Sequence, residues 1–163
     1  MANCMPVLLA LALATTLLVT NPGVSRANTL REAATTAFHN NDHDTAYKLL
    51  TTLVTQSNTR TQDFLFKGLI ERKKGDLNAA QRSFQHGLNR DPSSFPLLME
   101  LAITCAWNNQ HHNAIALYEQ ALRAADPPQR TTAQLGKARV LGWMGQHDKA
   151  IELYRAILAQ NPR

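Results

Sequence analysis

The sequence has few cysteines and few aromatic residues, and it lacks the common catalytic motifs. Only two of its 163 residues are cysteines, and only 6% are aromatic. It contains no glycine-rich phosphate loop, no serine-nucleophile motif and no paired carboxylates arranged for acid–base chemistry. These absences predict a protein without catalytic activity, without a metal site and without a cofactor.

The six histidines are the residues most able to indicate chemistry. His43, His111 and His147 take equivalent places in three polar turns, and such recurrence indicates a ring that packs over the turn. His39 and His43 are spaced like two metal ligands on a helix, but residues 40–42 between them favour a turn. An accessory protein that binds a metal ion or a glycan is therefore the alternative to a non-catalytic scaffold.

The charge is modestly basic, with 17 lysines and arginines against 12 acidic residues and a formal net charge of +5. The short basic run Arg72-Lys73-Lys74 falls at the end of a helical pattern, where cations complement the helix dipole. This run is too short to indicate nucleic-acid binding. A weak positive balance favours acidic protein surfaces or anionic envelope polymers as partners.

The amino terminus differs in composition from the rest of the chain. Residues 7–19 form an uncharged apolar run, the breaker Asn21-Pro22-Gly23 follows, and Ser25-Arg26-Ala27 offers the small residues that a signal peptidase reads. We predict a secretory signal over residues 1–27 and a mature periplasmic domain over residues 28–163. A retained membrane anchor is the alternative, but the run is shorter than the roughly 18 to 20 apolar residues that span a bilayer, which favours cleavage. Cleavage leaves one cysteine and no internal disulfide.

The remainder of the chain repeats. Ala46, Ala80 and Ala114 recur every 34 residues, and Ala150 follows after 36. In each copy an apolar helical stretch, a polar turn, a second helical stretch and a breaker follow one another. Such a period predicts an all-α solenoid of about four helix-turn-helix units. The copies cover approximately residues 27–60, 61–94, 95–130 and 131–163.

Each turn contains one residue suited to closing a helix and another suited to opening the next. Asn41, Gly75, Asn109 and Gly145 recur at the same place, and asparagine and glycine adopt the left-handed conformation that ends helices. Aspartate or asparagine beside them can cap the amides of the second helix. Asp-Pro or Asn-Pro pairs end three of the second helices. The pattern therefore predicts a helix boundary at every turn.

With these features the chain resembles the tetratricopeptide repeat family over residues 27–163. Gly75 and Gly145 match the turn glycine of that family, whereas Glu71 stands where the family prefers tyrosine. Small residues occupy the place where its two helices approach each other, at Gly68, Ala102 and Ala138. The resemblance implies four repeats of paired helices that bind another protein.

The resemblance also implies a groove, lined by the first helices of successive repeats, in which a protein or peptide partner lies. Its middle is apolar and its edges carry arginine, which favours a peptide with an apolar stripe and an acidic flank. The matching positions are Arg31, Leu65, Leu69, Arg72, Met99, Ile103, Leu135 and Arg139. Trp107 and Trp143 recur 36 residues apart, just before two turns. We expect both rings to pack in the core, and the alternative is that they anchor a partner on a binding surface.

Two further features bear on the partner. Residues 138–145 are similar to repeats found ahead of outer-membrane barrels in bacterial polysaccharide-export and surface-assembly proteins. This likeness implies a scaffold in envelope assembly, secretion or polysaccharide export, held near the outer membrane through a partner. The last helical stretch carries more apolar residues than one inward face needs, namely Ile151, Leu153, Tyr154, Ile157 and Leu158. We predict that a partner or a second copy of the protein covers its free side.

Overall fold

The computed structural model describes residues 22–160, and within that range it consists of eight α-helices joined by short turns. Consecutive helices form four pairs, so the predicted all-α solenoid of helix-turn-helix repeats is confirmed. The helices are α1 (Pro22–His39), α2 (His43–Val54), α3 (Thr61–Lys73), α4 (Leu77–Leu88), α5 (Phe95–Trp107), α6 (His111–Ala124), α7 (Pro127–Trp143) and α8 (His147–Gln160).

Most of the predicted signal segment lies outside the described residues. The helix α1 starts at Pro22, so the predicted boundary after Ala27 falls within it, and Ala27 itself is fully buried. The boundary between residues 27 and 28 stays a prediction. None of the helices between Pro22 and Gln160 combines the length and the apolar character that a membrane span needs.

The turns within the four pairs contain the left-handed residues that the sequence predicts. Asn41 and Asn109 have φ angles of 59° and 58°, and Gly75 and Gly145 have φ angles of 86° and 74°. A positive φ ends the first helix and turns the chain back on itself. The second helix of each pair therefore starts two residues after this position.

Aspartate residues cap several of the helices. The Asp42 and Asp76 side chains accept hydrogen bonds from the backbone amides of Thr45 and Ala79, at 3.1 and 2.8 Å. These bonds satisfy amides at the start of α2 and α4 that have no partner within the helix. The hydrogen bonds with Thr45 also lower the pKa of Asp42, because they favour its charged form.

The third and fourth repeats meet earlier in the chain than the sequence predicts. The helix α6 ends at Ala124 and α7 starts at Pro127, so the boundary lies near residue 126 rather than between residues 130 and 131. Proline suits the first turn of a helix, where its missing N–H has no partner to lose. The prolines here begin a helix, and α7 is correspondingly long, with 17 residues.

Glycines allow neighbouring helices to approach closely, and two of these glycines face an aromatic ring. A Cβ atom at Gly68 of α3 would lie 2.4 Å from the ring of Phe84 on α4. A Cβ atom at Gly136 of α7 would lie 2.4 Å from the ring of Tyr118 on α6. Such distances are too short for any side chain, so each glycine gives room to a buried aromatic ring.

The first helices of successive repeats line the inner side of the solenoid. Besides the contacts between consecutive helices, α3 contacts α5 and α5 contacts α7. Within residues 22–160 no second helix makes a comparable contact with the second helix of the next repeat. The stack therefore curves toward its first helices, which form the inner face that the resemblance implies.

Buried apolar side chains form two cores, one on each side of α3. The first core belongs mainly to repeat 1. It includes Leu50 and Leu53, and α3 contributes Ile70 to it. The second core runs through repeats 2–4 and includes Phe84. Cys105 is buried in this second core, and burial raises the pKa of its thiol. The helix α3 is thus the wall that both cores share.

Polar side chains of α3 and of the neighbouring helices are paired in the interior: Arg31, Asp63, Glu71 and Ser83 are buried, and Lys67 is half-buried. Arg31 of α1 donates two hydrogen bonds to the Asp63 carboxylate, at 2.7 and 2.8 Å. The Glu71 carboxylate accepts hydrogen bonds from Lys67 and from Ser83 of α4. Glu71 stands where the family prefers tyrosine, and in this structure its carboxylate fills that position and is paired with Lys67 and Ser83.

Candidate binding groove on the inner face

Six of the eight predicted groove residues keep part of their side chain at the surface. Leu135 and Arg139 on α7 are exposed, whereas Arg72 and three apolar residues of α3 and α5 are half-buried. These three also pack against the second core and are Leu65, Leu69 and Ile103. The groove is therefore most open at α7, and its floor is continuous with the core.

The structure corrects the other two assignments. Arg31 is only 8% exposed, and its guanidinium is held by Asp63, so it offers no free charge to a ligand. The hydrogen bond with Asp63 raises the pKa of Arg31. Met99 is also 8% exposed and belongs to the second core. Both residues stabilise the solenoid rather than line an open groove.

Trp107 and Trp143 are exposed, so the expectation that both rings pack in the core is wrong. Their exposed fractions are 55% and 50%. They are the last residues of α5 and α7, two of the first helices that line the inner face, and they lie at equivalent places next to the turns. Together with Leu135 they give this face three large exposed apolar side chains.

Neighbouring side chains hold both indole rings in position. The Arg72 guanidinium lies 5.2 Å from the centre of the Trp107 ring, which is a cation–π geometry, and is itself paired with Glu100 at 2.6 Å. The His111 ring lies 6.2 Å from the Trp143 ring. Because the rings are held before any ligand arrives, binding to them costs less conformational entropy.

A cavity of about 370 Å³ opens where the first three repeats meet, and we call it the three-repeat pocket. It combines aromatic walls with two cationic side chains. Its lining residues are Phe38, Asn41, His43, Leu69, Arg72, Lys73 and Trp107. The sequence places Leu69 and Arg72 along the groove, but it does not show that they converge with Phe38, Lys73 and Trp107, since these residues come from three repeats.

Two of the three turn histidines lie beside aromatic rings, and the third does not. The His43 ring lies 6.0 Å from the Phe38 ring, and His111 lies beside Trp143, whereas His147 is exposed. Among residues 22–160 no three histidine, cysteine or acidic side chains are grouped so that they could hold a metal ion.

Comparisons with known proteins concern the fold. A tetratricopeptide repeat family model matches residues 132–163. No curated protein is significantly similar in sequence. The solved structure of MamA is 17% identical, with a TM-score of 0.75 over 82% of this chain and 77% of MamA. YrrB, a tetratricopeptide repeat protein with an unusual peptide-binding site, is 12% identical, with a TM-score of 0.74 over 85% of this chain and 70% of YrrB.

A smaller protein has a similar structure as well. PcrH from Pseudomonas aeruginosa is 16% identical, with a TM-score of 0.66 over 71% of this chain and 92% of PcrH. At such low identities the likeness establishes the fold and nothing finer. The chain has the tetratricopeptide repeat fold, and the fold implied by its sequence resemblance is confirmed.

Proposed function

We propose that this protein is a non-catalytic scaffold that binds a polypeptide partner along its inner face. The exposure of Trp107, Trp143 and Leu135 on that face carries the proposal. Tryptophan is among the residues that most often anchor protein interfaces, and clustered exposed apolar side chains mark such interfaces. The structural likeness to YrrB, which has a peptide-binding site, supports the same kind of function.

The chemistry of the groove favours a peptide with an apolar side and an acidic flank. Leu65, Leu69 and Ile103 provide an apolar floor. Arg139 is exposed and forms no ion pair within residues 22–160, so its charge is available to a carboxylate of the partner. An amphipathic segment would bury its apolar side on the floor and leave acidic residues at this edge.

The groove is tested by a photoreactive residue placed at position 139 in cells of the source organism. We expect one discrete crosslinked protein from position 139 and none from position 116, which is exposed on the second helix α6. Leu135→Glu should reduce the crosslinked product by about tenfold or more, because burial of a leucine contributes about 1.5–3 kcal/mol and each 1.4 kcal/mol is tenfold in affinity.

Leu158→Glu is the matched control, because it makes the same change at an exposed leucine on α8, outside the groove. It should leave the crosslink at position 139 unchanged. Circular dichroism should show the same helical content for both variants. Equal loss in both variants, or loss with Leu158→Glu alone, would contradict binding on the inner face.

Self-association is the second candidate function, and it depends on α8. The described residues include six large exposed apolar side chains. Three of them lie on the inner face, and the other three, Ile151, Tyr154 and Leu158, lie on α8. Contact between two such faces would remove them from water. Light scattering of the wild type and of Leu158→Glu separates the two functions, since only self-association through α8 predicts a species that the substitution dissociates.

We further propose that binding takes place in the periplasm, in envelope assembly, secretion or polysaccharide export. The support is the sequence pattern of residues 1–27 and the likeness of residues 138–145 to repeats of export proteins. Amino-terminal sequencing of the protein recovered from cells should then begin at Asn28. An intact Met1 in the cytoplasmic fraction would contradict this location and leave the groove argument untouched.

A further inference from the structure

We propose that the three-repeat pocket takes one apolar side chain of an acidic segment of the partner, and that Lys73 pairs with a carboxylate beside that side chain. The inference rests on the proposed binding function and assigns the anchoring point within it. It names a local recognition unit, an apolar residue next to an aspartate or glutamate.

The walls of the pocket are aromatic and fixed by their own neighbours. The Phe38 ring is stacked on the Phe66 ring, with centroids 4.8 Å apart. On the other side Trp107 is covered by the Arg72 guanidinium, which is bonded to Glu100 and lies 3.4 Å from the Thr104 hydroxyl. A side chain that enters between these walls meets two rings that are already ordered.

The charge at the pocket is carried by Lys73. Arg72 is neutralised by Glu100, and the neighbouring Lys74 pairs with Asp44 at 2.6 Å. Lys73 is exposed, and within the described residues its ammonium contacts the Nε2 atom of His43, at 2.6 Å. Because an ammonium only donates, Nε2 is the acceptor, and two of the three N–H donors of Lys73 are left for a ligand.

The volume and the charge together define the class of ligand. At about 370 Å³ the cavity is near the lower end of the range for ligand sites, which suits one side chain better than a cofactor. One free cation matches one carboxylate, whereas nucleic acid would need a stripe of basic residues along its phosphates. An apolar side chain flanked by acidic residues satisfies the aromatic walls and Lys73 at once.

The test uses short capped peptides with a central phenylalanine, flanked in turn by aspartate, asparagine or lysine, titrated into the full-length protein by calorimetry. We expect the aspartate peptide to bind about tenfold more tightly than the asparagine peptide, with a difference that shrinks in high salt. Trp143→Phe leaves Trp107 as the only tryptophan. Its fluorescence should change on addition of the aspartate peptide, because that ring forms a wall of the pocket.

Two charge reversals provide the matched pair of variants. Lys73→Glu should weaken binding of the aspartate peptide by about tenfold or more and should improve binding of the lysine peptide. Lys48→Glu makes the same change at an exposed residue of the second helix α2 and should alter neither affinity. Circular dichroism of both variants shows whether the helices are retained.

The inference is overturned if the three peptides bind equally well, or if Lys73→Glu and Lys48→Glu behave alike. Equal affinities together with an intact, Leu135-dependent crosslink at position 139 would remove the pocket assignment and keep the proposed function. If position 139 gave no crosslink but the protein still bound the aspartate peptide more tightly than the asparagine peptide through Lys73, the pocket assignment would stand and the proposed function would fall.

Discussion

Replacing Asp63 with alanine is expected to lower the free energy of unfolding by about 3–5 kcal/mol. Asp63 is almost fully buried, and its carboxylate accepts two of the hydrogen bonds that Arg31 donates and one from the backbone amide of Arg60. Its removal leaves the guanidinium cation of Arg31 in the interior without a counter-charge. Chemical denaturation followed by circular dichroism measures the loss.

Two variants serve as controls for this result. Asp44→Ala removes the carboxylate of the exposed Lys74 pair and should leave the denaturation midpoint unchanged, because exposed pairs contribute little. The double variant Arg31→Met with Asp63→Leu removes both buried charges and should recover most of the lost stability. If Asp63→Ala were as mild as Asp44→Ala, Arg31 would be accessible to solvent and would return to the list of groove residues.

Replacing Phe84 with alanine is expected to lower the free energy of unfolding by about 3–5 kcal/mol as well. Its side chain is fully buried in the second core, and its ring fills the space above Gly68, where no side chain is present. Truncation leaves a cavity that two packed helices cannot close without moving. The shift of the thermal unfolding midpoint measures this loss.

Glycine substitutions provide the control for close packing. Gly68→Ala should destabilise the protein by about 1–3 kcal/mol, because its Cβ would lie 2.4 Å from the Phe84 ring. Gly142→Ala should stabilise it by up to about 1 kcal/mol, because nothing lies within 4 Å of that Cβ and alanine favours the helix. In the Phe84→Ala background the penalty of Gly68→Ala should disappear, and additive effects would contradict the contact.

The repeat architecture could be predicted from sequence because local chemistry determines it. The turn residues at positions 41, 75, 109 and 145 have the left-handed φ angles that asparagine and glycine favour. The period of 34 residues then places equivalent helices in register. The boundary near residue 126 was misplaced because Pro127 and Pro128 were interpreted as helix breakers, whereas proline also begins helices.

The groove was predicted less well because it depends on partners far apart in the chain. Arg31 belongs to a groove position by register, but Asp63, 32 residues later, binds it in the interior. Trp107 was assigned to the core because large rings are usually buried, yet Arg72 from the preceding repeat covers one face and leaves the rest in water. The position of a residue in the repeat predicts which side of its helix it lies on. Whether its side chain is exposed depends on the side chains that pack against it from other repeats.

The shared wall formed by α3 links ligand binding to stiffness. Phe38 packs on the first core, Leu69 on the second, and Trp107 lies one repeat further along. A side chain bound between Phe38 and Trp107 would contact both the first and the third repeat, on either side of α3. We therefore expect a partner that occupies the pocket to make the solenoid more rigid, and, by the same thermodynamic linkage, a more rigid solenoid to bind that partner more tightly.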